Sequence, residues 1–126
     1  MLNDIELVVF DMEGTLTADP TLWEIMHLKV GTWESHGARY WEQFRAGAVP
    51  YDEFARMDVS AWKGAAESLL AEAVESVSLM RGCEETLLAL NVAGIRSAIV
   101  SNGLHCLARR LGKELDLFTF SDLVGP

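Results

Sequence analysis

Cysteine is scarce: only Cys83 and Cys106 occur, without Cys-x-x-Cys spacing, which excludes a disulfide framework or a cysteine-built zinc site and leaves two reduced thiols. Basic residues are scarce as well. Lys and Arg number 10 against 19 Asp and Glu, the formal net charge is −9, and no basic run offsets it locally. Such a surface repels phosphodiester backbones, so nucleic acid is excluded as a partner. Long apolar runs are missing, and Asn3-Asp4-Ile5-Glu6 stands where a signal peptide needs basic residues. No membrane partner is therefore expected, and the expected location is cytoplasmic. Repeats and low-complexity segments are also missing.

What is present is enough for one compact core with a small insert: 126 residues, 50% of them apolar. Leu7 to Phe10 is an apolar run too short for a helix, stopped by Gly14, and reads as a buried parallel strand ending at Asp11. Asp19 and Pro20 have the pattern of an N-cap and first helical residue, with Leu22, Ile25, Met26 and Val30 at helical spacing up to Gly31. Trp33 to Ala46, Tyr51 to Lys63 and Ala65 to Val77 read as further helices, punctuated by Gly47, Pro50 and Gly64. Glu84 to Ala93 reads as a helix with Leu87, Leu88 and Leu90 near one face, closed by Gly94. Ile95 to Val100 follows as a second strand, Leu104 to Leu115 as a helix, Leu117 to Phe120 as a third strand, and Ser121 to Pro126 as turn-like residues. Strands alternating with helices imply an α/β fold with a parallel sheet, whose ligands bind at the carboxyl ends of strands. Both polar turns, after Phe10 and after Val100, fall on that edge.

Asp11-Met12-Glu13-Gly14-Thr15 puts two carboxylates, Asp11 and Glu13, on one side of an extended chain. One can attack phosphorus while the other protonates the leaving oxygen and then activates water. Gly14 and Thr15 permit the sharp turn that follows, and Gly14 is counted among the phosphate-binding residues. Two carboxylates beside a phosphate dianion call for a hard divalent cation, Mg2+, held by Asp11 and Glu13, with the carbonyl of residue 13 as a further ligand. Ser101 offers a hydroxyl, and Asn102 and Gly103 offer amides, at the start of a helix where phosphate oxygens are readily held.

These residues resemble the haloacid dehalogenase (HAD) superfamily of phosphohydrolases, in its phosphoserine-phosphatase-like branch. The first motif of that family is matched by Val8-Val9-Phe10-Asp11-Met12-Glu13-Gly14-Thr15-Leu16-Thr17, and the second by Ala98-Ile99-Val100-Ser101-Asn102-Gly103. Gly47-Ala48-Val49-Pro50-Tyr51 and Val59-Ser60-Ala61-Trp62-Lys63 look like its cap. The resemblance implies an incomplete Rossmannoid core, residues 1–17 and 78–126, and a helical cap insert, residues 18–77. It makes Asp11 the phosphorylated nucleophile and Ser101 the hydroxyl that holds phosphate. The implied function is Mg2+-dependent hydrolysis of a small phosphorylated metabolite, a phosphomonoester, through an aspartyl phosphate.

Four departures qualify the resemblance. Glu13 replaces the usual aspartate and is longer by one methylene, about 1.5 Å; a glutamate there is compatible with transfer to an alcohol acceptor instead of water. Pro20 and Asp58 stand where the branch holds the ammonium and carboxylate of phosphoserine, so neither handle is present, and Arg56 and Glu24 are left as the substrate candidates. The lysine and acidic pair of the third and fourth motifs have no counterpart, since Lys113, Asp116 and Asp122 come too soon. The resemblance then implies a truncated chain or fragment. Its first strand is expected to be an open apolar edge, covered in a homodimer or by a partner, and the chain itself to be catalytically incomplete, an associating or phosphate-binding module.

Other conspicuous residues have plainer expectations. Ser101 and Asn102 taken alone are a helix N-cap. Trp23, Trp33, Trp41 and Trp62 are expected to pack in the helical core. His27, His36 and His105 lack metal-ligand spacing and are expected at helix surfaces or boundaries, and Glu24, Arg56 and Asp58 on solvated helix faces.

Overall fold

The computed structural model describes residues 4–119. Two compact units emerge, one of Met1–Asp19 with Val77–Pro126, the other of Pro20–Ser76.

The first unit holds a parallel sheet of three strands, β1 (Leu7–Phe10), β2 (Arg96–Ile99) and β3 (Phe118–Thr119), in the order β1-β2-β3. Leu7 pairs with Arg96 and Phe10 with Ile99, while Ala98 pairs with Phe118. Two helices pack on this sheet: α5 (Cys83–Val92) against β2, and α6 (His105–Leu115) against β2 and β3. β2 is central because Ala98 and Ile99 are buried and strands lie on both its sides. The core stripe of α6, Leu107, Ala108 and Leu111, follows the i, i+1, i+4 pattern of a helix with one buried face. Each of its leucines contributes about 1.5–3 kcal/mol by leaving water.

β1 departs from the fully buried strand that its apolar run suggested. Leu7 is 41% and Val9 52% exposed; two residues apart, they share one face of the strand, and that face is uncovered, while among the described residues β1 pairs only with β2. Leu88 likewise points to solvent while Leu87 is buried, since α5 turns only one face to the sheet. The third strand covers less than the expected Leu117 to Phe120; Phe120 and Ser121–Pro126, Asp122 with them, lie outside the described residues.

The chain leaves β1, turns, and runs beside the segment that returns to the sheet. The amide of Ala18 donates to the carbonyl of Ser78 (2.9 Å) and that of Met80 to Leu16 (2.7 Å), around an antiparallel bridge between Thr17 and Leu79. Thr17 is buried there.

The second unit is all helical: α1 (Leu22–Val30), a π-helical turn (Trp33–Gly37), α2 (Ala38–Arg45), α3 (Tyr51–Ala61) and α4 (Glu67–Ser76). The N-cap of α1 is Thr21, whose Oγ1 accepts the amide of Glu24 (3.3 Å), and not Asp19; a β-hydroxyl can bond the third helical residue only from that position. Gly31, at φ +82°, ends α1 in the left-handed region that glycine adopts without strain. The helix expected from Trp33 to Ala46 is present, its first five residues wound as the π turn that runs directly into α2. A β-carbon on Gly37 would lie 2.7 Å from the His27 ring and 2.6 Å from Trp33, so the backbone comes where only glycine fits. The core is aromatic: Trp23 lies 5.8 Å from Phe54 and 5.6 Å from Trp62, and Phe44 stacks on Phe54 at 4.8 Å. Trp62 is buried as expected, and Trp41, 43% exposed, packs only part of its ring against Phe44 and Phe54. Among the described residues, no helix is long and apolar enough to cross a membrane.

Candidate active site

Parallel pairing brings the two polar turns side by side. Phe10 stands opposite Ile99, and the amide of Val100 donates to the carbonyl of Phe10 (3.0 Å), so Asp11 and Ser101 leave adjacent strands at the same carboxyl edge.

The turn after β1 is closed by its own backbone. The carbonyl of Met12 accepts the amides of Thr15 (3.2 Å), Leu16 (2.8 Å) and Thr17 (3.1 Å), and the amide of Gly14 donates to the carbonyl of Thr17 (2.9 Å). Gly14 sits at φ +83°, which a side-chain-bearing residue adopts only with strain. This turn leaves Asp11 exposed, half-buries Glu13 and buries Met12 completely.

The turn after β2 is held by a side chain. Ser101 Oγ accepts the amide of Gly103 (2.9 Å), bending Ser101-Asn102-Gly103 ahead of α6. The N-cap of α6 is Leu104, without a side-chain bond, so neither Ser101 nor Asn102 caps that helix.

Gly103 is where the two turns meet. A β-carbon placed on it would lie 2.6 Å from Met12 Cε, 3.1 Å from Ser101 Oγ and 3.4 Å from Glu13 Oε1. Glu13, Ser101 and Gly103 are therefore gathered in one small volume, with Asp11 two residues along the chain from Glu13. Gly14 belongs to the same turn, and Asn102 lies exposed on the other. Glu24 and Arg56 belong to the helical unit. Glu24 is half-buried in the first turn of α1; Arg56 is 72% exposed on α3, 3.7 Å from Asp52. Arg56 borders a groove of about 570 Å³ with His36, Tyr40, Glu53, Met57 and Ser60.

Asp11 and Glu13 carry hard oxygen donors of the kind that suits Mg2+, two carboxylates on one turn. Among the described residues, no three His, Cys, Asp or Glu side chains converge on one point.

Two residues overturn their expected settings. His27 and Asp58, expected at the surface, are 0% and 1% exposed, and His27 Nε2 lies 2.8 Å from Asp58 Oδ1. Thr32 Oγ1 meets the other ring nitrogen at 2.7 Å. Burial pushes the Asp58 carboxyl up from its ordinary value, against the opposing hydrogen bond and charge of His27. No spacing in the sequence links two residues on different helices, so the pair left no signal there. Burial also raises the thiols of Cys83 and Cys106, the first with help from Glu84 and Glu85.

A parallel sheet with an acid-bearing turn beside a hydroxyl-bearing turn defines a class, and comparison with known proteins agrees: the profile of the haloacid dehalogenase-like hydrolases matches residues 8–126. The chain belongs to that family. Within it, the chain is 33% identical over 116 residues to a phosphoserine phosphatase of Haemophilus influenzae, covering 92% of this chain and 36% of that protein. Against phosphoserine phosphatase SerB2 of Mycobacterium tuberculosis the identity is 26% over 111 residues, covering 88% and 27%. Among solved structures, a substrate-bound phosphoserine phosphatase superposes with a TM-score of 0.81 at 23% identity, covering 94% of this chain and 56% of that one. A HAD family hydrolase of Salmonella enterica gives 0.82 at 22%, covering 91% and 39%. These structures share the fold. The chain spans 36% and 27% of the length of the two curated relatives.

Proposed function

We propose that the protein is a phosphohydrolase that cleaves a small phosphomonoester through an aspartyl phosphate on Asp11. The observation that carries this reading is the meeting of the two turns at Gly103, which puts Glu13 and Ser101 together beside the strand end that bears Asp11.

Each residue has a role its chemistry allows. A carboxylate oxygen of Asp11 attacks phosphorus; a P–O bond to aspartate forms as the P–O bond to the alcohol breaks. Glu13 gives its proton to the departing oxygen, then takes one from the water that attacks the aspartyl phosphate and releases inorganic phosphate. The Ser101 hydroxyl and the amide of Asn102 hold the phosphoryl oxygens, with the Gly103 amide, which donates to Ser101 Oγ (2.9 Å), orienting that hydroxyl. Mg2+, if held by the Asp11 carboxylate and the backbone carbonyl of Glu13, would offset the negative charge that the carboxylates and a phosphate bring to one place, and the Glu13 side chain would stay available for proton transfer.

The name phosphoserine phosphatase on the relatives makes an amino-acid phosphate the first substrate to test. Asp58 argues against it, being buried and paired with His27 at the position where that branch is expected to carry an arginine. We therefore assign the substrate only as a small phosphomonoester, with Arg56 and Glu24 as its candidate contacts. The exposed Leu7 and Val9 and the unpaired edge of β1 support a homodimer or a covering partner; sedimentation at several concentrations would read the homodimer as a rising mass.

A second reading, that this chain binds phosphate or associates without turning substrate over, is favoured by the pair of carboxylates standing without a third metal-type ligand among the described residues. Turnover of para-nitrophenyl phosphate with Mg2+ separates the two. Turnover abolished by Asp11→Asn supports hydrolysis by the chain itself; background turnover with retained phosphate binding supports the second reading.

A further inference from the structure

We propose that Met12, the residue between the two acids, is a positioning residue whose side chain sets the spacing between the Asp11–Glu13 turn and the Ser101–Gly103 turn. The proposal rests on reading these turns as two halves of one phosphoryl-transfer site.

Met12 is tied down at both ends. Its carbonyl collects the amides of Thr15, Leu16 and Thr17, which fixes its backbone, and its side chain is wholly out of solvent. The methyl end reaches across to the other turn, where Cε takes up the space that a side chain on Gly103 would need, 2.6 Å from the β-carbon position. Gly103 is not in the left-handed region, so the glycine is not required there by backbone conformation. It is required by room. Met12 fills that room from one direction, and Ser101 Oγ and Glu13 Oε1 crowd it from two others.

The ladder between β1 and β2 reaches the bond from Val100 to Phe10, and the Met12–Gly103 contact lies beyond it. A close-packed contact at that place fixes a separation that strand pairing leaves open. The separation matters because the nucleophile is on one turn and the hydroxyl on the other, and a misplacement of about 1 Å between reacting groups costs up to about 100-fold in rate. An unbranched thioether suits this job, since it can fit an irregular gap without a branched side chain's demand for space.

The test uses four variants, Met12→Leu, Met12→Ala, Gly103→Ala and the double Met12→Ala/Gly103→Ala, with inorganic phosphate plus Mg2+ as the probe. Gly103→Ala should weaken phosphate binding about tenfold, the equivalent of one hydrogen bond to a charged group. The double variant should bind more tightly than Gly103→Ala alone, because the new methyl enters the space Met12 vacates. Met12→Leu, similar in volume, should bind within about twofold of the parent. In the unliganded chain, amide NMR shifts of Ser101 to Gly103 should move in Met12→Ala. Losses that simply multiply in the double variant, or amide shifts confined to residues 11–17, would overturn the proposal. Failure of the unsubstituted chain to bind phosphate would instead count against the phosphoryl-transfer reading, and the unliganded shifts would still decide the role of Met12.

Discussion

The imidazole of His27 and the carboxylate of Asp58 meet at 2.8 Å between α1 and α3, with both side chains almost wholly out of water. A buried pair of this kind adds little over an apolar pair of similar shape, but losing one partner strands the other. His27→Leu should therefore destabilise the helical unit by about 3–5 kcal/mol, and His27→Leu/Asp58→Leu should recover most of that. Urea unfolding followed by tryptophan fluorescence reads both values. A loss in the double variant equal to the sum of the His27→Leu and Asp58→Leu losses would mean that the pair is not coupled.

The same pair predicts a pH dependence. Burial raises the Asp58 carboxyl above its ordinary value of 3.8, so the folded state holds that proton more tightly than the unfolded chain does. The Asp58 contribution to stability is complete below 3.8 and is lost as pH rises through the raised value. Relative to Asp58→Asn, the unsubstituted chain should lose stability as pH rises from 3.8. Denaturant midpoints for the two proteins across that range check it; a relative gain with rising pH would contradict the assignment.

Gly14 gives a prediction about the turn itself. Its φ of +83° is strained for alanine, although nothing lies within 4 Å of an added β-carbon. Gly14→Ala should therefore cost about 1–2 kcal/mol by backbone strain alone. Thermal unfolding measures the cost. Gly103→Ala differs in kind, because crowding and not conformation is its obstacle.

Both thiols should be sluggish. Burial raises Cys83 and Cys106 above the ordinary value of 9.0, so at pH 8 each holds less thiolate than a free cysteine. Alkylation by iodoacetamide, followed by mass spectrometry, should run slower at both sites than for a cysteine-containing peptide. A faster reaction at either would show that its surroundings favour the thiolate.

Much of the site was legible because its signal is local. Asp11 and Ser101 each follow a short apolar run, and parallel pairing of two such runs is enough to put their turns on one edge. What escaped depends on contacts between distant segments. His27 and Asp58 carry charges that look solvated on separate helices, and only packing of α1 against α3 removes both from water. The need for glycine at position 37 escaped for the same reason, since its cause is the crowding of the His27 and Trp33 rings. The exposure of Leu7 and Val9 was hidden by composition: an apolar run shows that a strand is present, but not which of its sides is covered.

Asp11 as the nucleophile of a phosphate-holding site shared by two turns is open to direct test. Beryllofluoride, which mimics a phosphoryl group on a carboxylate, tests it most directly, read by fluorine NMR of the chain with Mg2+. A bound signal is expected that disappears in Asp11→Asn and persists in Asp19→Asn. No bound signal from the unsubstituted chain, or an unchanged one in Asp11→Asn, would contradict it.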